Sequence, residues 1–227
     1  MVHKLGLALS LPTIKQVGGA WLPSDDRDLK AWYKYQTGIT LNGSDVAQWD
    51  DSSTNSFDMI QETISEQPAY NSGNIDFDAS ATQSLQSASA ITLSGAFTVG
   101  IKLHPSVDNV AVIGSNTLPN EFFKITSTTN LRFKTDGSQV DMTIDSGTLI
   151  TALNLVVTRN SSDLVTLYLD GVAQADTETL AGTADINVIG VRRTDTNPYD
   201  GTISEVQIYG TESTALTANV SNYLANI

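Results

Sequence analysis

Three groups of side chains have the types and spacing to do chemistry. The first is the segment from Arg192 to Asp200, RRTDTNPYD, which holds the only Arg-Arg pair in the chain. Sugars lay their C–H faces on aromatic rings while charged and amide groups fix their hydroxyls. Arg192, Arg193, Tyr199 and Asp200 are therefore candidate glycan-binding residues. The second group is Asp50, Asp51 and Asn55, close together after Trp49. An oxygen-rich loop of this kind suits a hard cation such as Ca2+, and no other cofactor is implied. The third is Leu5, Leu7, Leu9 and Leu11, which alternate with Gly6, Ala8 and Ser10. Period two makes an extended segment with one apolar face. Such an arm fits strand addition or a groove on a partner chain.

Catalytic sets are poorly represented. Cleaving a glycosidic bond takes two carboxylates on either side of it, and the six Glu residues stand at 62, 66, 121, 178, 205 and 212. The two His residues are His3, in the arm, and His104, just before Pro105. No nucleophile elbow accompanies them. These absences argue against an enzyme.

The elements that must position these groups are strands. Leu153–Thr158 and Leu164–Leu169 flank the polar Asn160-Ser161-Ser162-Asp163 and predict a hairpin. Asp170-Gly171 then predicts a tight turn into a third strand near Val172. The second run carries bulk on both faces, which predicts a central strand covered on both sides. Phe97–Leu103 has Phe97, Val99, Ile101 and Leu103 on one face and predicts a one-sided strand. Further short strands are expected at Thr40–Leu41, Val46–Trp49, Met59–Ile60, Ala69–Tyr70, Ile75–Phe77, from Ser84, and at Val110–Ile113, Glu121–Ile125, Leu131–Lys134, Val140–Ile144, Ile186–Val191 and Thr202–Tyr209. Turn signals between them predict a sandwich. Near the C-terminus, Leu216, Val220, Tyr223 and Leu224 fall at helical spacing after a capping Ser213 or Thr214.

Composition narrows the partners. The chain has 227 residues, no Cys and a net charge of −13. Disulfides are excluded, and a chain of this length can bury a core without them. Nucleic-acid binding is disfavoured, because phosphate contacts need a basic patch. No apolar run reaches the roughly 18 residues of a membrane-spanning helix. Pro12 and Lys15-Gln16 interrupt the early apolar run, so it reads as an arm and not as a secretory leader.

Several motifs carry a resemblance. Tyr168-Leu169-Asp170-Gly171-Val172, the strand from Asp200 to Tyr209, and Trp49 to Asn55 followed by Gln67-Pro68-Ala69-Tyr70 and Phe77-Asp78 occur in the order seen in laminin G-like domains. The chain thus resembles the concanavalin A-like jelly rolls from about Leu29 to Ile227. The resemblance implies an all-β, two-sheet antiparallel jelly-roll sandwich over residues 24–227, with an N-terminal docking arm over 1–23 and a short C-terminal helix. Related glucanases draw their carboxylates from one strand as Glu-x-Asp-x-x-Glu or Glu-x-Asp-x-Glu, a pattern this chain lacks. Many relatives bind structural calcium through an Asp at the position held here by Ser204, which removes the usual ligand. The arm is similar in style to those opening structural proteins of tailed phages. The expectation is a non-enzymatic decoration or adhesion protein located on a virion. Its arm would bind other virion proteins and its jelly roll cell-surface glycans, and homo-oligomers are possible partners. The alternatives are a free carbohydrate-binding module, extracellular or on a bacterial cell surface, and a glycan-cleaving enzyme.

Overall fold

The computed structural model describes residues 20–116, 122–192 and 196–227. Leu5, Leu7, Leu9, Leu11 and Arg193 lie outside the described residues. The early strands are β1 (Leu29–Tyr33), β2 (Ile39–Asn42), β3 (Asp45–Trp49), β4 (Met59–Ile60), β5 (Ala69–Asn71) and β6 (Asn74–Phe77). Then come β7 (Leu85–Leu93), β8 (Phe97–Pro105), β9 (Val110–Gly114), β10 (Phe123–Ile125), β11 (Asn130–Lys134) and β12 (Gln139–Thr143). The last are β13 (Leu153–Arg159), β14 (Leu164–Leu169), β15 (Val172–Thr179), β16 (Ala184–Ile189) and β17 (Gly201–Tyr209), followed by the helix α1 (Thr214–Ala225).

The described pairings are all antiparallel and build two layers. One runs β15–β14–β13–β8–β17, and the far side of β17 is shared by β6 and β1. The other runs β12–β11–β10–β9–β16–β7–β4–β3–β2. At one edge β5 joins them, pairing with β6 and, through Asp45 and Ala69, with β3. Val99, Ile101, Leu155, Val157, Val206 and Ile208 of the first layer share one core with Val112, Phe123, Phe133 and Met142 of the second. This is the all-β sandwich with a C-terminal helix that the strand spacing predicts.

The hairpin forms where its turn chemistry predicts. Asp170 and Gly171 both adopt positive φ, 47° and 80°, and β15 starts at Val172. The expectation that Leu164–Leu169 is doubly covered is corrected. On β14, Val165 and Leu167 are buried but Leu164 is exposed and Thr166 and Tyr168 are half-buried, because α1 packs chiefly over β13 and β8. The doubly covered strands are β13, β8 and β17, whose outer faces lie under α1 or its aromatic neighbours. Phe97–Leu103 is accordingly not one-sided: Thr98 and Gly100 on its outer face are buried as well.

Helix α1 is fixed from both ends. Ser213 Oγ accepts from Leu216 N at 3.1 Å, a side-chain N-cap. Lys102 on β8 donates from Nζ to Leu224 O at 3.1 Å and to Ile227 O, placing a cation at the negative end of the helix. Between them Leu216, Val220 and Leu224 pack on Val156 and Tyr209.

One buried charge holds the loops at one end of the sandwich. Arg159, at the end of β13, is fully buried and donates to the carbonyls of Leu93, Gly95, Leu180 and Gly182, with its guanidinium 4.9 Å from the Phe97 ring centre. Asp163 Oδ1 approaches it at 3.9 Å.

The helix seat depends on Gly100. A Cβ there would collide with Val220 Cγ1 and lie 3.3 Å from Leu224 Cδ1. Gly100→Ala should therefore lift α1 and destabilise the domain by about 1–3 kcal/mol. Urea unfolding followed by circular dichroism measures this, and an unchanged midpoint would contradict the packing described.

Candidate functional site

The predicted sugar loop does not present an aromatic face. Tyr199 is 0% exposed, meets Phe77 edge-on at 5.8 Å, and donates its hydroxyl to Thr202 O at 3.2 Å. Burial holds its phenol well above the ordinary range, with the charges of Asp200 and Asp76 adding to the effect. It is a core plug on which the loop closes, so stacking a sugar on it is excluded in this conformation. Arg192 donates from Nε to Thr196 Oγ1 at 2.8 Å across a small bridge. Asp200 faces the backbone N–H of Ala79 at 3.5 Å. Arg192 and Asp200 thus bond to neighbouring chain at the ends of the loop, while Tyr199 lies in the core.

The side chains of the Asp50–Asn55 loop, a candidate cation site in the sequence, bond to the backbone around them. Asp51 is buried, and its carboxylate accepts from Trp32 N, Ser53 N, Ser53 Oγ and Phe57 N at 2.7–3.1 Å. Asn55 Nδ2 donates to the carbonyls of Leu29 and Lys30. These side chains satisfy the free edge of β1 and block it from further strand pairing. Asp50 accepts from Gln48 Nε2 at 2.6 Å. Four donors thus already occupy the Asp51 carboxylate. Ser204, at the position where the resemblance implies a calcium ligand, donates instead to Asn74 Oδ1 at 2.6 Å. Among the described residues, no group of three or more His, Cys, Asp or Glu side chains is arranged to hold a metal. A chelator should leave the melting temperature unchanged, since a cation bound only to the folded state would raise it.

The surface feature with sugar-binding chemistry lies elsewhere, where the chain enters the domain beside the C-terminal turns of α1. A groove of about 580 Å3 is lined by Ala20, Trp21, Leu22, Asn219, Asn222, Tyr223, Asn226 and Ile227. Residues 219, 222, 223 and 226 share one helix face, because spacings of three, four and seven return to the same side. Trp21 packs 6.5 Å from Tyr209 and edge-on to Tyr223 at 6.3 Å. Tyr223 in turn meets Trp32 edge-on at 6.1 Å. Aromatic pairs at these separations contribute about 0.5–1.5 kcal/mol each beyond area burial. Ala20, Trp21 and Leu22, assigned by the sequence reading to the arm, are thus seated on the domain.

Beneath the rings runs a buried polar ladder on β17. Glu205, Gln207 and Tyr209 alternate outward, and each is 0% exposed. Glu205 accepts from Trp32 Nε1, from Tyr35 N at 2.5 Å and from Gln207 Nε2 at 3.1 Å. Tyr209 donates its hydroxyl to Gln207 Oε1 at 2.8 Å. Lys34 Nζ sits 5.0 Å over the Trp32 ring. Burial raises the Glu205 carboxyl above its ordinary value, and hydrogen bonds from Tyr35, Trp32 and Gln207 oppose that rise. Tyr223 is pushed up to about 12 by burial and by the Glu205 charge.

None of the groove residues was singled out as a ligand contact from sequence. A signal was available: Asn219, Asn222 and Asn226 punctuate the polar side of the helix. Tyr223 reads equally well as core, and Trp21 falls in the segment assigned to the arm.

Comparison with known proteins places the fold. The family model described as the concanavalin A-like lectin/glucanases superfamily matches residues 77–219. The chain belongs to this superfamily. No curated protein sequence matches it. Among solved structures, it is similar to the binding domain of Paraclostridial Mosquitocidal Protein 1, at 15% identity and a TM-score of 0.56, covering 90% of this chain and 53% of that one. The superfamily member thus spans about half the length of that binding domain. It is also similar to domain 4 of AbnA, an extracellular arabinanase from Geobacillus stearothermophilus, solved in complex with arabinotriose. That likeness has 16% identity and a TM-score of 0.55, and covers 86% of this chain and 98% of that one. A native heptameric pentraxin from Limulus polyphemus matches at 13% identity and a TM-score of 0.51, over 69% of this chain and 79% of that one. At these identities the likeness is one of fold.

The raised Glu205 carboxyl gives a signed pH dependence. An acid with a folded-state pKa above its unfolded one contributes stability below the unfolded value and loses it as pH rises through the folded value. Wild type should therefore lose stability relative to Glu205→Gln as pH rises from near the ordinary value of 4.5. Paired melting curves across that range measure the difference, and a flat difference would show that Glu205 does not titrate abnormally.

Proposed function

We propose that this domain is a non-enzymatic glycan-binding module whose contact surface is the Trp21–Tyr223 groove. The observation that carries the reading is the pairing of two half-buried aromatic side chains with three asparagine side chains in one open groove. Rings supply the apolar platform and amides supply both donors and acceptors for hydroxyls. The superfamily and the arabinotriose complex of a structural neighbour support a saccharide ligand. Among the described residues, no Asp, Glu or His side chain lines the groove to supply an acid–base pair for cleavage.

Trp21→Ala and Tyr223→Ala should each weaken a glycan-array signal, a loss of about five- to thirty-fold in affinity for a ring worth roughly 1–2 kcal/mol. Both variants should keep the far-ultraviolet spectrum of the wild type. Undiminished signal from both would move the binding site elsewhere.

The segment before Ala20 has a proposed role of its own. Its alternating leucines fit docking on a larger assembly, and the arm's style favours a virion surface as the setting, with cell-surface glycans as the ligand of the displayed domain. A chain beginning at Ala20 keeps Trp21 and should fold and bind as the full chain does, while failing to join its assembly. Normal incorporation of that chain would remove the arm as the anchor.

A further inference from the structure

The charges around the groove restrict what it takes. Among the described residues, no Lys or Arg lines it. Asp25 sits at its rim, where Oδ2 accepts from Leu22 N at 2.9 Å. Glu205 lies under Tyr223 through Trp32. The helix turns forming the wall are the C-terminal ones of α1, the negative end of the helix dipole, which Lys102 already offsets. Of the described cations nearby, Lys102 donates to the carbonyls of Leu224 and Ile227, Lys34 lies over Trp32, Lys30 lies beside Gly210, and Arg27 is exposed beside Asp28. The Glu205 charge acts on Tyr223 and those of Asp26 and Glu205 act on Tyr209, all in the direction that opposes further negative charge.

We propose that the groove selects neutral saccharides and rejects those bearing carboxylate or sulfate groups. The inference rests on the groove being the glycan site. A neutral sugar brings hydroxyl donors that the Asn side-chain carbonyls accept. An anionic sugar brings a charge that meets Glu205 and Asp25 with no cation among the described lining residues to pair with. The overall charge of −13 works in the same direction at longer range.

The test is a glycan array in which each neutral oligosaccharide stands beside its sialylated, uronic-acid and sulfated counterparts, read with the full chain at low and at physiological salt. The expected result is neutral binding about ten-fold or more above the anionic counterpart at low salt, the gap narrowing as screening sets in near a Debye length of about 10 Å. Asn222→Lys, which adds a cation to an exposed helix position, should raise the anionic signals. Anionic glycans that bind as well as neutral ones, with the signal lost in Trp21→Ala, would overturn the selectivity while leaving the groove as the site. Binding that survives both Trp21→Ala and Tyr223→Ala would overturn the groove and the selectivity together.

Discussion

Burying the Glu205 carboxylate is the constraint on which the ligand-facing side of this domain depends. A carboxylate taken out of water costs several kcal/mol unless donors surround it, and here three donors do. Each donor fixes a different piece. Trp32 Nε1 sets the orientation of an indole, Tyr35 N sets the exit of β1, and Gln207 extends the network to Tyr209. The oriented Trp32 ring gives Tyr223 its edge contact, and Tyr223 gives Trp21 its own. A surface groove is thus positioned by a charge that does not itself line it. Removing a donor would leave buried oxygen unsatisfied, which costs more than the bond contributes.

Arg159 solves the opposite problem at the loop end. Its guanidinium is surrounded by backbone carbonyls, with one carboxylate at 3.9 Å. Burial lowers its pKa, and the charges of Asp163 and Asp136 act against that. Because an Arg offers five N–H donors in a fixed plane, it can tie the Leu93–Gly95 turn to the Leu180–Gly182 turn in a way no apolar residue could. Two buried charges of opposite sign therefore brace different parts of the sandwich. One closes loops; the other aligns aromatics.

The strands were legible because period and turn chemistry are local. Asn160–Asp163 and Asp170-Gly171 are read within a few residues, and the hairpin forms there. Ser213 was readable as a cap for the same reason. Which strands lie under the helix was not readable, since coverage of β8 and β13 depends on where α1 lands, far away in sequence. Gly100 was the available clue: a glycine in the middle of an apolar strand marks a close approach. The surroundings of the candidate site residues were unreadable for a related reason. Tyr199 has the composition of a ligand loop, but composition does not report that its ring points inward against Phe77. Asp51 and Asn55 look like a cation loop because the side chains that satisfy a free strand edge are the same oxygens and amides that bind ions. Leu5 to Leu11 and Arg193 remain readings of sequence.

The groove is a joint product of two segments about two hundred residues apart, and this couples binding to folding. Trp21 comes from the entry of the chain, and Tyr223 and the three Asn residues come from its last helix. The helix wall is in place only when α1 is seated on Val156 and Tyr209. That seat requires Gly100 beneath Val220 and Lys102 at the helix end. A ligand spanning Trp21 and Asn222 would therefore stabilise the docked helix by the amount that docking favours the ligand, because the two equilibria share one state. The helix is thus the element through which the stability of the sandwich and the geometry of its groove are linked.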